Sequence, residues 1–413
     1  MKAWPSTYIP PLAPMPVPAL RLFNSLTSQN EEISEVEVSM YVCGITPYDA
    51  THLGHAATYL TFDLINRYLR LSGKQVFYIQ NITDVDDPLL ERANRDGLQW
   101  EVLAEDQISL FRDDMTSLRV LPPEHYMGAV ETIPWVIEAI QKLQMEESVY
   151  EIDGDLYFDI SSDPKFSSYT SLTTAEQIAI FSQRGGDPER LDKRNPLDCL
   201  IWRGAREGEP HWPSPFGDGR PGWHIECTAI ALNYLQAPIS IQGGGSDLHF
   251  PHHSMCAAEG RVLTGVDFAK RFVHTGMIGL DGEKMSKSKG NLKFVSKLRN
   301  SGVDSGVLRL ALLSGHYRSD REWSDDLLKT SEGRMNLWRA AISNPYGGDV
   351  STLIKKLLDS LSNDLDTPTA FALIDEWANS RVKQLHADGR ELNSIDEIGQ
   401  LTRFIDAVFG IAL

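Results

Sequence analysis

The sequence predicts an α/β nucleotide-binding domain that is interrupted by an insertion and followed by a helical C-terminal domain. The first observation is a strand, helix and strand pattern at 36–42, 53–71 and 76–79, which indicates two parallel strands of a doubly wound sheet. The second is the segment 121–198, where a hairpin pattern and glycine-rich polar sequence replace that alternation. The third is the pattern from about Asp325 onward, which is helical without a strand signal.

Composition and charge exclude several other classes of protein. Of the 413 residues, 42% are apolar and 23% are charged, which excludes wholesale disorder, collagen and coiled coil. No apolar run approaches the roughly 18–20 residues that span a bilayer, so no membrane partner is expected. Six prolines among the first twenty residues disagree with a signal peptide and predict an extended surface arm. Four cysteines are too few for a disulfide framework, which indicates the cytoplasm.

Local signals predict the individual elements. The helix over 53–71 has apolar residues at helical spacing and stops at Gly73. Further helices are predicted to start at Asp86-Asp87-Pro88 and to cover 100–118, 134–145 and 223–235; further strands are predicted at 149–152, 156–160 and 239–242, the first two joined by a turn at Asp153-Gly154. These elements divide the chain into 1–120 (the arm and the first half of the α/β domain), 121–198 (the insertion), 199–295 (the second half of the α/β domain) and 296–413 (a helical stem and bundle).

A pair of histidines follows the first strand. His52 and His55 are three residues apart at a predicted helix start, so both imidazoles can face one ligand. The helix N-terminus favours phosphate there, and two histidines can stabilise charge that develops on phosphate oxygens. The alternative is a capped helix with two ordinary histidines.

A second motif is Lys284-Met-Ser-Lys-Ser-Lys-Gly-Asn291, which is preceded by Gly282. Three lysines in a glycine-flanked loop suit a mobile clamp on a polyphosphate, while the alternative is a solvated basic loop. Both motifs occur in one chain in this order, and the pair resembles the HIGH and KMSKS signatures of class I aminoacyl-tRNA synthetases. The resemblance implies ATP binding and stabilisation of the transition state of amino-acid adenylation.

Three residues of the metal-ligand type lie at predicted strand ends and helix starts. Cys43 ends the first strand, Cys227 lies in Gly222-Trp-His-Ile-Glu-Cys, and His252 lies in Phe250-Pro-His-His. None has the local Cys-x-x-Cys spacing of a structural zinc site, and convergence of the three would leave the open fourth position of a catalytic site. The alternative is three buried, inert residues, because free cysteine is commonly a small core hydrophobe.

These motifs also resemble those of cysteinyl-tRNA synthetase, whose zinc reads the substrate thiolate. The resemblance implies one Zn²⁺ per chain on Cys43, Cys227 and His252. The synthetase has a glutamate ligand four residues after that histidine, where this chain has Cys256. Two alternatives stay open for Cys256: it ligates zinc and closes the site, or it packs beside the site.

The chain departs from the synthetase pattern in ways that favour a related family. A basic residue is absent after the histidine motif, where Ala56-Ala57 stand, and only 125 residues follow Ser288. The segment 346–413 holds six Lys/Arg against eleven Asp/Glu, too few cations for tRNA phosphates. Residues 43–59, Arg184-Gly-Gly-Asp-Pro188 and 273–279 resemble the cysteine ligases of mycothiol biosynthesis, with Gln183 where that family commonly has Glu.

The resemblance implies a two-step reaction. Cysteine and ATP form cysteinyl adenylate and pyrophosphate, and the amine of glucosaminyl-inositol then displaces AMP to form an amide; Mg²⁺ accompanies ATP. The implied partners are L-cysteine, ATP and glucosaminyl-inositol, with no tRNA. A compact cysteinyl-tRNA synthetase is the alternative enzyme, and a non-catalytic RNA-binding paralogue is the alternative of another class.

Residue roles follow by matching motifs. The residues assigned to the phosphates are Thr46, His52, His55, Lys284 and Lys287. The residues assigned to the cysteinyl-adenylate pocket are Cys43, Gly44, Ile45, Thr46, Thr58, Asn81, Ile82, Thr83, Trp223, Gly245, Ser246, Asp247 and Ile278. For Asp247 the cysteine amine and the ribose hydroxyls stay open as alternatives. The acceptor pocket is expected near Trp223, between the sheet and the start of the helical domain.

Overall fold

The computed structural model describes residues 1–49, 51–280, 283–284, 292–343, 349–384 and 395–413. The strands are β1 (Arg21–Asn24), β2 (Gln29–Glu32), β3 (Glu37–Val42), β4 (Gln75–Ile82), β5 (His125–Gly128), β6 (Val149–Ile152), β7 (Asp155–Phe158), β8 (Cys199–Gly204), β9 (Gly219–Pro221), β10 (Ile241–Gly245), β11 (Phe272–Thr275), β12 (Ile278–Leu280), β13 (Glu283–Lys284) and β14 (Arg321–Trp323). The helices are α1 (Leu53–Leu71), α2 (Asp87–Asp96), α3 (Trp100–Ser117), α4 (Ala129–Met145), α5 (Thr174–Gln183), α6 (Trp223–Tyr234), α7 (Ser254–Thr264), α8 (Val295–Asn300), α9 (Ser305–Leu313), α10 (Asp325–Ile342), α11 (Val350–Ser362), α12 (Thr367–Gln384) and α13 (Ile395–Phe409).

The central sheet has the strand order β11-β10-β3-β4-β5, and all of its pairs are parallel. This confirms the predicted doubly wound α/β domain. The chain builds outward from β3 to β4 and β5, then returns to the other side of β3 with β10 and β11. The order of the strands therefore reverses between β3 and β10, which is where ligands bind in sheets of this kind.

Two hydrophobic cores lie on opposite faces of this sheet, and β3 contributes alternate residues to each. Met40 and Val42 are buried in the core that α1, α3 and the C-terminal helices share. Tyr41 and Cys43 are buried in the core with α4, α6 and α7. Because side chains alternate along a strand, the Cys43 thiol faces the helices that carry Cys227 and the residues near His252.

Strand β10 differs from its predicted bounds of 239–242. It ends at Gly245 because Gly243–Gly245 pair with β11, although glycine is a poor strand former. The close packing of α1 demands glycine at the first of these positions, since a Cβ on Gly243 would lie 2.3 Å from a ring carbon of Phe62. The predicted end at 242 is therefore three residues too early, because low strand propensity did not exclude these glycines from the strand.

The insertion contains the antiparallel sheet β6-β7-β8-β9, and the predicted hairpin is confirmed, with Asp153 and Gly154 at positive φ in its turn. Strand β5, which lies within the predicted insertion 121–198, joins the parallel sheet, whereas β8 and β9, which follow that segment, join the antiparallel sheet. Helix α4 also begins five residues before its predicted start at 134, because Glu131 accepts a hydrogen bond from the Gly128 amide at 2.9 Å and stabilises the earlier turn. The division of the chain into four units itself stays a prediction.

The described C-terminal part is helical from Asp325 onward, as predicted, and packs beside α1. The N-terminal arm lacks helix and strand over its first twenty residues, but it is anchored as well as extended. Trp4 is buried and donates a hydrogen bond to the Val120 carbonyl at 2.8 Å. Among the described helices, none has both the length and the apolar composition needed to cross a bilayer.

Candidate active site

The carboxyl ends of β3, β4 and β10 form a continuous backbone cradle. The Cys43 amide donates to the Gly243 carbonyl at 3.0 Å, and the Gly44 amide donates to Asn81 Oδ1 at 2.8 Å. The Thr83 amide donates to the Ile45 carbonyl at 3.0 Å. Gly44 is required here, because a Cβ would lie 1.8 Å from the Asn81 carbonyl oxygen. The segments 43–46 and 81–83, whose residues are assigned to the cysteinyl-adenylate pocket, therefore lie side by side.

The other residues assigned to the adenylate pocket lie on neighbouring elements. Thr58 on α1 lies with its hydroxyl 2.9 Å from that of Thr275, at the end of β11. Ile278 is buried on β12. Gly245, Ser246 and Asp247 follow or end β10. Their roles as ligand contacts stay a prediction.

Cys43, Cys227 and His252 form a buried cluster. Their ligand atoms all lie within 4.8 Å of one another. His252 Nε2 lies 3.4 Å from Cys43 Sγ, and the Trp223 ring stacks on the His252 imidazole at 4.4 Å between centroids. The tertiary structure thus brings together three residues, of which the first and the last are more than two hundred positions apart in the sequence.

The surroundings of the cluster suit a thiolate and imidazole metal site. His252 Nδ1 lies 2.9 Å from Nδ1 of His224, which fixes the ring with Nε2 towards the sulfur atoms. Gln242 Nε2 donates to Cys43 Sγ at 3.3 Å. The hydrogen bond with Cys43 lowers the pKa of the Cys227 thiol well below its usual value, while burial raises the pKa of Cys43. Two soft sulfur donors and one oriented imidazole fit Zn²⁺.

Cys256 lies beside this cluster but outside the group of three ligand atoms. Its thiol donates to the His224 carbonyl at 3.4 Å, and its sulfur lies 3.8 Å from His252 Nε2. Of the two alternatives for Cys256, this geometry favours packing beside the site.

The histidine motif forms the start of α1. His52 is the N-cap, and its Nδ1 accepts a hydrogen bond from the His55 amide at 3.3 Å. The two imidazoles stack with centroids 3.5 Å apart. Burial and the proximity of His52 lower the pKa of His55 well below its usual value. A neutral His55 is therefore available as a hydrogen-bond donor or acceptor at a helix N-terminus, where phosphate binding is favoured.

The lysine motif joins the same region through its flanking backbone. Lys284 lies on β13, which pairs with β12, and Lys287 lies outside the described residues. After the motif, the Leu53 amide donates to the Lys293 carbonyl and the Val295 amide donates to the Thr51 carbonyl, both at 2.9 Å. The segment that follows the lysine motif is therefore hydrogen-bonded directly to the backbone on either side of His52.

A cleft of about 850 Å³ opens beside the cradle, between the parallel sheet and the inserted antiparallel sheet. Thr46, Trp223 and Asp247 line its inner end. The residues of the insertion and of α2 that line the rest include Asp86, Asp87, Asp155, Tyr157, Arg184, Asp187, Arg190, Arg203, Arg206 and Arg220. The Arg184–Pro188 box borders this cleft, and Arg184 donates to the carbonyls of Asp247 and Phe250. The cleft lies beside Trp223, as expected for the acceptor pocket, but against the insertion and not against the helical domain; the position of the acceptor pocket itself stays a prediction.

Several polar residues at the site were missed by the sequence reasoning. Gln242 contacts Cys43, and His253 Nε2 also lies 3.4 Å from that sulfur. Asp86 lines the cleft and accepts a hydrogen bond from Thr46. Gln242 carried a usable signal, because a polar residue inside a predicted buried strand needs a partner. The sequence identified Asp86 only as part of a helix start, and this role gave no indication of its contact with Thr46.

The elements that carry this site also match those of known proteins. The family model described as the tRNA synthetase class I (C) catalytic domain matches residues 29–333. A protein of Thermomonospora curvata named L-cysteine:1D-myo-inositol 2-amino-2-deoxy-alpha-D-glucopyranoside ligase is 51% identical over 100% of both chains. The chain belongs to this ligase family of the class I synthetases. Members with the same name from Streptomyces coelicolor and Rhodococcus erythropolis are 50% and 49% identical, also over 100% of both chains.

Solved structures agree with the fold of this ligase family. Mycobacterium tuberculosis methionyl-tRNA synthetase in complex with methionyl-adenylate has a TM-score of 0.65 at 15% identity and covers 90% of this chain and 89% of its own. A putative arginyl-tRNA synthetase of Campylobacter jejuni has a TM-score of 0.55 at 14% identity, with 91% of each chain covered. These likenesses confirm the predicted class I synthetase-like fold.

Proposed function

We propose that the protein is an ATP-dependent, AMP-forming ligase that activates L-cysteine as cysteinyl adenylate and joins it to the amine of glucosaminyl-inositol. The observation that carries the proposal is the buried Cys43, Cys227 and His252 cluster at the strand-end cradle, in a chain that matches the named ligases over its full length. The product is the amide. The proposed location of the protein is the cytoplasm.

The cluster explains selection of cysteine. One Zn²⁺ held by Cys43, Cys227 and His252 would supply an open position for the substrate sulfur and favour thiolate over the hydroxyl of serine. His224 orients the His252 ring, and Gln242 holds Cys43 by a hydrogen bond. A pocket without such sulfur recognition separates isosteric substrates poorly, since one atom changes binding little.

Phosphate chemistry is assigned to the helix start and the lysine motif. Thr46, His52 and His55 lie at strand and helix ends, and Lys284 and Lys287 are proposed to stabilise the pentavalent phosphate, with Mg²⁺ on the polyphosphate. A contact made in the transition state affects kcat more than binding. Replacement of Lys287 by Ala should therefore lower kcat by more than it raises the ATP KM, and an effect confined to KM would contradict the assignment.

The cleft is the proposed acceptor site. It begins at Thr46 and Trp223 and continues into a wall of arginine and aspartate side chains, which suits a polyhydroxylated sugar. Arg206 and Asp155 pair at 2.8 Å in that wall, and Tyr157 donates to Asp187 at 2.5 Å. Such fixed donors and acceptors discriminate between hydroxyl patterns, because an unmatched hydroxyl leaves a polar group without a partner.

The deciding experiment supplies the purified protein with cysteine, ATP and Mg²⁺, and then with glucosaminyl-inositol or with tRNA. We expect cysteine-dependent ATP–pyrophosphate exchange, and mass spectrometry should identify the amide with AMP as the second product. Efficient cysteine transfer to tRNA, with the amino sugar ignored, would instead establish a compact cysteinyl-tRNA synthetase. Absence of exchange with cysteine would favour a non-catalytic protein.

A further inference from the structure

We infer that Asp86 accepts the proton that the acceptor amine loses when it attacks cysteinyl adenylate. The inference rests on the proposed function and adds to it a catalytic residue for the second step. It follows from the position of Asp86 in the acceptor cleft and from the hydrogen bonds of the carboxylates around it.

Asp86 lies where the acceptor cleft meets the strand-end cradle. It is the N-cap of α2, and its Oδ1 accepts a hydrogen bond from the Asp87 amide at 2.8 Å. Its Oδ2 accepts from the Thr46 hydroxyl at 3.3 Å, and both residues line the cleft together with Trp223. Thr46 lies three residues after Cys43. Asp86 therefore lies between the acceptor cleft and the backbone segment that carries one of the three proposed zinc ligands.

Three other aspartates of the cleft wall, Asp87, Asp155 and Asp187, form ion pairs with cationic side chains, while Asp247 is already assigned to the adenylate pocket. Asp87 pairs with Arg203 at 3.1 Å and also contacts Arg220. Asp155 pairs with Arg206 at 2.8 Å, and Asp187 pairs with Lys193 at 3.0 Å. A carboxylate bound to a cation is a weak proton acceptor, because protonation would break the ion pair.

Asp86 differs because its Oδ2 contacts a neutral hydroxyl, that of Thr46. Burial, with a contribution from the Asp87 charge, raises the pKa of the Asp86 carboxyl to about 6, although the Asp87 amide, the Arg220 charge and the Thr46 hydroxyl oppose this rise. The titratable groups that face it are Asp87 on α2, Arg220 on β9, Glu226 on α6 and Tyr48 after β3. At neutral pH Asp86 is therefore mostly ionised, yet a better proton acceptor than an exposed aspartate.

The step balances without a further reagent. The neutral amine of glucosaminyl-inositol attacks the acyl carbon of cysteinyl adenylate, and a carbon–nitrogen bond forms. The acyl carbon–oxygen bond breaks, and AMP leaves with that electron pair. One amine proton passes to Asp86 and then to solvent, which yields the neutral amide nitrogen.

The test uses Asp86→Asn, which keeps a good helix cap and a hydrogen-bonding partner for Thr46 but removes the basic oxygen. We expect cysteine-dependent ATP–pyrophosphate exchange within about twofold of the unaltered enzyme, because adenylation precedes the proton transfer. Single-turnover conversion of the bound adenylate by glucosaminyl-inositol should fall by about 10²–10⁴-fold, the usual contribution of a general base. Asp349→Asn is the matched control, since Asp349 caps α11 with a hydrogen bond to the Thr352 amide at 2.9 Å and does not line the cleft.

The outcomes separate this inference from the function on which it rests. An unaltered enzyme that forms the adenylate but does not transfer it to glucosaminyl-inositol overturns the proposed function and the assignment together. An Asp86→Asn variant that transfers at the normal rate overturns the assignment alone. Equal loss of exchange and transfer also overturns it, because Asp86 would then serve adenylation or the shape of the cradle.

Discussion

Two buried polar clusters lie on opposite faces of the sheet, and they differ in how far their own side chains balance their charges and fill their hydrogen bonds. On the α1 face, Asp63 accepts hydrogen bonds from Arg67 Nε at 2.8 Å and from the Leu121 amide at 2.7 Å, and it also contacts Arg309. The arginines use their remaining N–H groups on backbone carbonyls, which include those of Ala407 at 3.0 Å and Leu118 at 2.7 Å. This charge cluster ties α1 to α9 and to the C-terminal end of the chain.

The cluster of Cys43, Cys227 and His252 on the other face has no comparable balance. Its members are two thiols and an imidazole; the hydrogen bond with Cys43 lowers the pKa of the Cys227 thiol, whereas burial raises the pKa of Cys43. Burial of charge is tolerated only when it is paired. The charges of the Asp63 cluster are therefore balanced by its own side chains, whereas the donor atoms of Cys43, Cys227 and His252 suit an added cation.

The largest expected effect is on stability, from Asp63→Ala. The change leaves the buried guanidinium groups of Arg67 and Arg309 without their shared carboxylate, which should lower the free energy of unfolding by about 3–5 kcal/mol. Chemical denaturation measures this effect. Glu138→Ala, which removes the exposed partner of Lys142, is the control and should change stability little. Equal losses of unfolding free energy in Asp63→Ala and Glu138→Ala would contradict the prediction that the buried ion pair matters more than the exposed one.

The next effect is on metal and substrate, from Cys227→Ser. We expect loss of bound zinc and a fall of at least about 100-fold in cysteine-dependent exchange, because a thiolate ligand is replaced by a hydroxyl that stays protonated. Zinc content by elemental analysis and exchange kinetics are measured together. Cys256→Ser is the matched control, because Cys256 is a neighbouring buried cysteine that is not one of the three ligand residues and whose thiol donates a hydrogen bond to the His224 carbonyl. A zinc-free Cys227→Ser enzyme with normal activity would contradict the metal assignment.

A smaller effect is expected from the residue that orients the imidazole. His224→Ala removes the partner of His252 Nδ1 while leaving the three ligand residues in place, so zinc affinity should fall by about 10–100-fold. Competition with a chelator measures the affinity. His211→Ala changes an exposed histidine outside the cluster and should leave it unaltered. Unchanged affinity in His224→Ala would mean that packing alone holds the ring.

The smallest effect is the acid dependence of the charge cluster. Burial would raise the pKa of Asp63, but the charges of Arg67 and Arg309 hold it below its ordinary value. The unfolded chain therefore binds the proton more readily, and the stabilisation present above about pH 4 is lost as the pH falls below it. The difference in unfolding free energy between the unaltered protein and Asp63→Asn should narrow as the pH falls. A difference that widens in acid would contradict this sign.

Much of the fold and of the site was predictable from local sequence. Helix α1 was predicted at its observed bounds, since apolar spacing and the stop at Gly73 are local signals. The convergence of Cys43 with Asn81 followed from one rule, because parallel strands present their carboxyl ends at the same edge. Family motifs selected Cys227 and His252, whose spacing alone also allowed inert core residues.

Only the tertiary structure decided the features that depend on distant partners. It placed β5 in the parallel sheet and put the cleft of about 850 Å³ against the insertion, where Asp86 accepts a hydrogen bond from Thr46. It also placed Cys256 beside the group of three ligand atoms and made one buried aspartate the partner of two arginines. The physical reason is that spacing and capping act over a few residues, whereas burial, charge pairing and cavity shape arise from residues hundreds of positions apart.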